Sequence, residues 1–368
     1  MKLVIQSGSR VWGGVEKWMG MVAVGLRARG HEVVVSCHAR GPVRERLEAL
    51  GVPTVAVRPR GGLDLLSAAS FALWLRAQRP DALLLTVWRR LFWGAWAGRT
   101  AGVRVVVRLG LLDPPRPRDP NRIVFRRWID GVIANSADIR ADLAAAFPWF
   151  PAERVHVIFN AVHPHAPAEP AVRERLRAEL GAEDGVPVFV AAGHAFPRKG
   201  FDILLRAFAL GGGGARLAIV GDGAQLPELR ALAESLGIAA RVRFLGARSD
   251  GAALIAAADA FVLSSRHEGM ANVMLEAMAA ATPVIATDVS GVREAIGARE
   301  GRPAAGWIVP SEDPAAMGAA LAEVVEALRE RPEAVEARVG EASWRIERWF
   351  GMERMLDEVE AALFGGRG

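Results

Sequence analysis

Short apolar, β-branched runs alternate with helix-period segments along this 368-residue chain, and the alternation runs through twice. In the first half "LVI", "EVVVSC", "TVAV", "ALLLT", "VRVVVRL", "GVIAN" and "VHVIF" read as strands, and residues 15–29, 65–78 and 137–147 between them read as helices. Strands apolar along their whole length cannot turn one face to water. They belong to a parallel sheet covered by helices on both sides. "HPHAPAEPAV", from His163 to Val172, holds three prolines and no periodicity, so it reads as a linker. The alternation then restarts with "VPVFVAA", "ARLAIVG", "RVRFLG", "AFVLS", "TPVIAT" and "GWIVP", enough for a second doubly wound sheet. From Pro314 onward the pattern is almost wholly helical. The expected architecture is α/β: a Rossmann-like domain over 1–165, a second over 166–345, and a C-terminal helix over 346–368 returning to the first. Paired sandwiches of this kind take a ligand in the cleft between them.

Composition narrows the class. Hydrophobic residues make up 51% of the chain, ample for packed cores and contrary to disorder. Cys37 is the only cysteine, which excludes a disulfide within the chain and a cysteine metal cluster. No uninterrupted apolar run reaches the roughly eighteen residues a membrane-spanning helix needs. "MKLVIQSGSR" carries too short an apolar run for a signal peptide and reads as a first strand. A cytoplasmic enzyme is expected. Charge divides unevenly: residues 1–165 carry 24 Lys and Arg against 12 Asp and Glu, a net of +12, and residues 166–368 carry 22 against 29, a net of −7. Such asymmetry implies different partners for the two halves.

The chemistry concentrates in "SSRHEGMANVMLEAMAAATPVIATD", 264–288. A strand, "AFVLS", leads into the loop "SRHEGMAN" and then a helix, "VMLEAMAAA". Loop amides and a helix N-terminus at the carboxyl edge of a parallel sheet favour a phosphate. Glu268 lies in that loop and Glu276 inside the helix. Carboxylates are poor phosphate ligands and good acceptors for sugar hydroxyls, so the pair suits a molecule with a central diphosphate and a sugar at each end, a nucleotide-sugar. The plain alternative makes Glu276 a solvated helix residue and Glu268 a partner of the helix dipole. No Asp-x-Asp follows a strand, and "GDG" at 221–223 lacks the third glycine of a dinucleotide loop. Neither a metal nor a nicotinamide site is expected.

These residues resemble a known family. "EGMANVMLEAMAAATPVIATDVSG" is similar to the Glu-x7-Glu signature of the retaining glycosyltransferases of family four, which have the GT-B fold. "GHAFPRKGFDILLRAFA" (193–209) resembles that family's Gly-Arg-x4-Lys-Gly segment, and "LAIVGDGAQLPELRALAESLG", "VRFLG" and "AADAFVLSS" continue the pattern. In the first half "SRVWGGVEKWM", "VIANS" and "VIFNAV" match more thinly.

The resemblance implies transfer of a hexose from a nucleotide-diphosphate sugar with retention of configuration, in cell-envelope, polysaccharide or glycolipid synthesis. It needs no cofactor and no metal. Lys199 would bind the diphosphate and stabilise it as leaving group, Glu276 would hold the ribose and Glu268 the transferred sugar. The amides of Met270, Ala271, Asn272 and Val273, after Gly269, would cradle the distal phosphate. Gly221, Phe244 and Leu245 would border the donor, and Gly13 and Gly14 would let backbone approach it. Where relatives carry an arginine after Gly193 this chain has His194, with Arg198 the nearest replacement charge. No histidine occupies 84–112, where many relatives place one; Trp88, Arg89 and Arg108 stand as candidates there. A non-catalytic nucleotide-sugar binder or a GT-B-like epimerase is the alternative.

The basic, aromatic segment "VWRRLFWGAWAGRTAGVRVVVR" (87–108) suits an anionic acceptor or an anionic membrane surface touched peripherally, through Arg89, Arg90 and Arg99. For Trp93 and Trp96 themselves, a place in the core is the simpler reading.

Overall fold

A computed structural model describes residues 1–57, 64–86, 91–111, 121–163, 169–182 and 185–365. All thirteen runs read as strands form strands, arranged in two wholly parallel sheets. The first holds β1 (Lys2–Gln6), β2 (Glu32–Cys37), β3 (Thr54–Ala56), β4 (Ala82–Leu85), β5 (Arg104–Leu109), β6 (Gly131–Ala134) and β7 (Val155–Val157), in the order β3-β2-β1-β4-β5-β6-β7. The second holds β8 (Val188–Ala192), β9 (Arg216–Val220), β10 (Val242–Gly246), β11 (Ala260–Leu263), β12 (Val284–Thr287) and β13 (Trp307–Val309), in the order β10-β9-β8-β11-β12-β13.

Each sheet reverses its strand order once. The chain builds outward from β1 to β3, then returns to the other side of β1 with β4; β8 and β11 repeat the manoeuvre. Connections leaving the two strands at such a reversal diverge to opposite faces and open a crevice at the carboxyl edge, where ligands of this fold bind.

The strands are buried on both faces, as their unbroken apolar runs require: β4, β6, β8, β11 and β12 contain no exposed residue. In the second unit Phe189, Leu217 and Ile219 of the sheet pack with Leu204, Leu205, Phe208 and Leu321 of the covering helices. The run "GGGG" at 211–214 lets two helices pack closely. Gly211 ends the Phe201–Gly211 helix against the Pro314–Glu330 helix, and a Cβ there would stand 1.8 Å from the Gly318 carbonyl oxygen. Only a glycine allows these two helices to meet.

The chain divides into two units, Met1–Asn160 with Met352–Gly368, and Ala161–Gly351. The break before the returning segment therefore lies at Gly351, later than the expected 345/346. The expected helix from 346 onward is interrupted at 350–351, between two helices. Pro332–Trp349 stays with the second unit, where Trp344 and Trp349 meet edge to face at 5.2 Å. Met352–Phe364 joins the first, burying Met355 and Leu356. Leu356 fits against the bare backbone of Gly25, where a Cβ would lie 2.5 Å from its Cδ1. Arg29 fixes the register of this helix through Glu353 at 2.6 Å, Asp357 at 2.7 Å and Glu360 at 3.2 Å.

Burial, rather than the ion pairs, holds this helix in place. Leu356→Ala is expected to destabilise the first unit by about 2–4 kcal/mol, through lost transfer energy and the cavity left behind. Arg29→Ala removes only surface pairs worth about 0–1 kcal/mol. Chemical denaturation of the two variants measures both; equal losses would overturn that ranking.

Candidate active site

At the reversal of the second sheet, three loops are pressed together through glycines. Gly200, at φ +62°, follows the single turn Pro197–Lys199, and a Cβ on it would sit 2.0 Å from the Ser264 carbonyl oxygen after β11. Gly221, after β9, passes so close to the loop after β8 that a Cβ would lie 1.9 Å from the Gly193 oxygen. No side chain fits at either point, so the loops after β8, β9 and β11 are locked to one another through their backbones.

This contact sets the side chains that the sequence singled out. Lys199 Nζ lies 2.6 Å from Glu268 Oε1 and Arg198 Nη1 lies 3.2 Å from Oε2. The Ser265 hydroxyl donates to Oε1 at 2.9 Å, and the Ser264 hydroxyl donates to the Lys199 carbonyl at 2.9 Å. Glu268 is only 8% exposed. Burial alone would push its carboxyl up, but the charges of Lys199 and Arg198, with the hydrogen bonds from Lys199 and Ser265, hold it below the usual carboxylate range. His194 stands apart: it is exposed and its ring faces Phe196, 5.9 Å away between centroids. Of the two candidate replacement cations, Arg198 is the one that reaches the acid.

A further cation, not anticipated from the sequence, fastens the two loops. Arg266 donates to both Asp202 oxygens in a bidentate pair at 2.8 Å each, donates Nη1–H to the Pro197 carbonyl at 2.7 Å, and pairs with Glu312. Its own N–H donates to the Arg198 carbonyl at 2.8 Å. The fork pulls Asp202 below the ordinary carboxylate range, chiefly by its hydrogen bonds. The turn carrying Arg198 and Lys199 is thus held from behind. The signal was an arginine two residues before Glu268 and an aspartate three after Lys199; nothing in sequence links residues that far apart.

The Asn272–Ala279 helix begins beside Glu268. Its N-cap is Ala271, whose side chain has no polar atom to cap the terminus. Gly269, Met270 and Ala271 are buried, while Asn272, Val273 and Glu276 are half-buried. Gly291, at φ +78°, supports the loop from below; a Cβ there would meet the Gly269 oxygen at 2.3 Å. Phe244 and Leu245, both half-buried, lie where β10 becomes irregular before Gly246, with Arg230 over the Phe244 ring at 4.8 Å. Gly221 donates its N–H to the Gly246 carbonyl at 2.7 Å, which ties the β9 and β10 ends together.

In the first unit Gly13 is the N-cap of the Gly14–Ala28 helix, and its N–H donates to Glu16 Oε2 at 3.0 Å. Glu16, missed in sequence, is buried and shapes this loop. Arg108, in β5, is buried: it lies 4.4 Å over the Trp18 ring and donates Nη2–H to Asn160 Oδ1 at 2.9 Å. Burial pulls its pKa down to about 10, against the opposing charge of Glu16. Trp93 is core, stacked on Phe71 at 4.9 Å, and Trp96 packs against the same cluster. Arg99 is exposed on its helix, and Trp88, Arg89 and Arg90 lie outside the described residues. Among the described residues no helix is long and apolar enough to cross a membrane, and no group of three His, Cys, Asp or Glu could hold a metal ion.

Known proteins resemble both units. Residues 12–166 match the model of Glycosyltransferase Family 4, and residues 172–338 that of Glycosyl transferases group 1. The chain is 32% identical over 217 residues to the lipopolysaccharide core biosynthesis glycosyltransferase LpsE of Rhizobium meliloti, a match covering 59% of this chain and 58% of that relative. It is 30% identical to the D-inositol 3-phosphate glycosyltransferase of Actinosynnema mirum, over 79% of each chain. Among solved structures, Anabaena HepE in complex with UDP-glucose superposes with a TM-score of 0.82 at 24% identity over 99% of each chain, and the glycosyltransferase WaaG with 0.71 at 17% over 100% of each. With both halves matched, and a relative shared over most of its length, the chain belongs to glycosyltransferase family 4 and has the GT-B fold.

Proposed function

We propose that this glycosyltransferase moves a hexose from a nucleotide-diphosphate sugar to an acceptor with retention of configuration, in the synthesis of a cell-envelope polysaccharide or glycolipid. The observation that carries this reading is the juxtaposition of Lys199, Arg198 and Glu268 at the strand-order reversal of the second sheet, beside a helix start whose N-cap residue is Ala271. A departing diphosphate gains negative charge as the glycosidic bond breaks. Two cations already fixed in place stabilise that charge without reorganising. The amides at Met270–Val273 suit the distal phosphate. Glu276 then takes ribose hydroxyls, and Glu268 both accepts from the transferred sugar and aims the two cations. Lipopolysaccharide, inositol phosphate and UDP-glucose named among relatives and neighbours fit such a reaction. Because Lys199 and Arg198 neutralise the leaving group, the reaction is expected to proceed in excess chelator.

Nucleotide release from a panel of donors, with acceptor present and chelator in excess, tests the assignment. Lys199→Ala should lower kcat by about 100-fold, the scale of removing one preorganised charge partner. Glu276→Ala should raise the dissociation constant of free nucleotide while leaving the melting temperature unchanged. Near-normal turnover by the lysine variant would remove Lys199 from the mechanism.

The depressed carboxyl of Glu268 has a pH signature. Its folded-state pKa is below its unfolded value, so the stability it contributes is present above the ordinary carboxylate range and is lost as pH falls below it. Glu268→Gln should therefore cost roughly 1–3 kcal/mol at neutral pH, the scale of stranding a partly buried charged partner. The difference should close in acid. Denaturation at pH 7 and near pH 3 measures it; a gap independent of pH would show that the charge is irrelevant.

The acceptor reading rests on charge. A first domain at +12 exceeds what solubility asks, and it suits an anionic acceptor or the anionic membrane carrying it, at the inner face of the plasma membrane. Each basic residue near such a surface contributes about 1 kcal/mol, screened by salt. Vesicle flotation should show weak binding to anionic lipid at low salt and release at high salt. Protein that stays in solution at low salt would favour a soluble acceptor.

A further inference from the structure

At the carboxyl edge of the first sheet, a buried charge lacks a counter-ion in contact. Arg108, next to last in β5, is 5% exposed, yet among the described residues it makes one side-chain hydrogen bond, to Asn160, and no ion pair. Its Nε is buried with no partner. Glu16 supplies charge at longer range, but its Oε2 already accepts from the Gly13 amide. Asn135 follows β6 in the adjacent position and is 3% exposed. Its backbone N–H donates to the Leu109 carbonyl, whereas its side chain makes no hydrogen bond among the described residues, and Oδ1 is buried without a partner. Two polar side chains more than nine-tenths buried are thus left largely unsatisfied side by side. Such groups are costly unless a ligand completes them.

Gly110 shows where they converge. A Cβ on this glycine would lie 2.9 Å from Arg108 Nη1 and 3.4 Å from Asn135 Nδ2. Two donors therefore meet beside a residue that has no side chain. The neighbouring faces are already used: Trp18 covers the guanidinium at 4.4 Å and Asn160 takes Nη2.

We propose that Arg108 and Asn135 form an anion-binding site in the first unit that takes a phosphate or carboxylate group, carried by the acceptor. A buried guanidinium without a carboxylate in contact favours a full negative charge over a hydroxyl, and a planar donor fork matches either oxyanion. That the site exists follows from the first unit alone; that its anion belongs to the acceptor rests on the transfer reaction proposed above.

Two substitutions separate this site from the donor loop while preserving the fold. Asn135→Asp places a carboxylate beside Arg108, so the protein supplies its own anion. Gly110 is not at positive φ, and Gly110→Ala puts a methyl group against the movable end of Arg108. Inorganic phosphate and glucuronate are titrated calorimetrically into the full-length wild type, both variants and Lys199→Ala, with methyl glucoside as the neutral probe. Expected are phosphate and glucuronate binding in wild type and Lys199→Ala, at least tenfold weaker binding in Asn135→Asp and Gly110→Ala, and a raised melting temperature for Asn135→Asp. Phosphate should also inhibit turnover competitively with acceptor rather than donor. The site is overturned by anion binding that survives in both variants, by binding lost only with Lys199, by no anion binding at all, or by methyl glucoside binding as tightly as glucuronate. Should no turnover be found with any donor, the titrations still decide the site, and only its assignment to the acceptor falls with the reaction.

Discussion

Glu268 is a carboxylate taken almost wholly out of water, and the second unit's site is arranged around keeping it charged. Desolvation works against ionisation; two cations and a serine hydroxyl overcome it. The consequence runs in both directions. The acid holds Lys199 and Arg198 in fixed positions, where cations would otherwise sample many rotamers. A strongly hydrated lysine and a planar guanidinium also offer different geometry, one a point charge and the other a fork.

Such an arrangement needs a backbone that does not move. Gly200 against Ser264 and Gly221 against Gly193 bring the strand ends within bare-backbone contact, and Arg266 closes the assembly from the far side through Asp202 and the Pro197 carbonyl. Arg345 plays a comparable part deeper in the same unit. Fully buried, it donates to the carbonyls of Ala295, Gly297 and Pro303 and meets Glu341 at 2.8 Å. It fixes the short helix whose first residues, from Gly291, support the Gly269 loop. Buried arginines serve here by satisfying loop carbonyls that would otherwise be stranded.

The two units use the same sheet edge differently. In the second, the acid at the reversal has both oxygens engaged by cations and a hydroxyl. In the first, Arg108 is a buried cation that feels the charge of Glu16, an acid that accepts from a glycine amide. A site with its ions matched carries no surplus charge. A site with a surplus charge waits for a counter-ion.

Fold and family were legible because they rest on local, periodic information. Unbroken apolar runs specify strands covered on both faces, and their alternation with helices specifies parallel crossovers, so all thirteen strands and the order of motifs along the chain could be read directly. Glu268 and Lys199 were legible as motif residues. Their 2.6 Å contact was not, since 69 residues separate them and only the return of β11 beside β8 brings them together. The contact of Arg198 with Glu268, the staple of Arg266, and the burial of Arg108 were closed to the sequence for the same reason. So was the break at Gly351, because one helical period looks like another until packing decides which core receives it. Sequence determined which elements form; tertiary structure decided which charges meet, because charge pairing depends on distances that only the folded sheet edge sets.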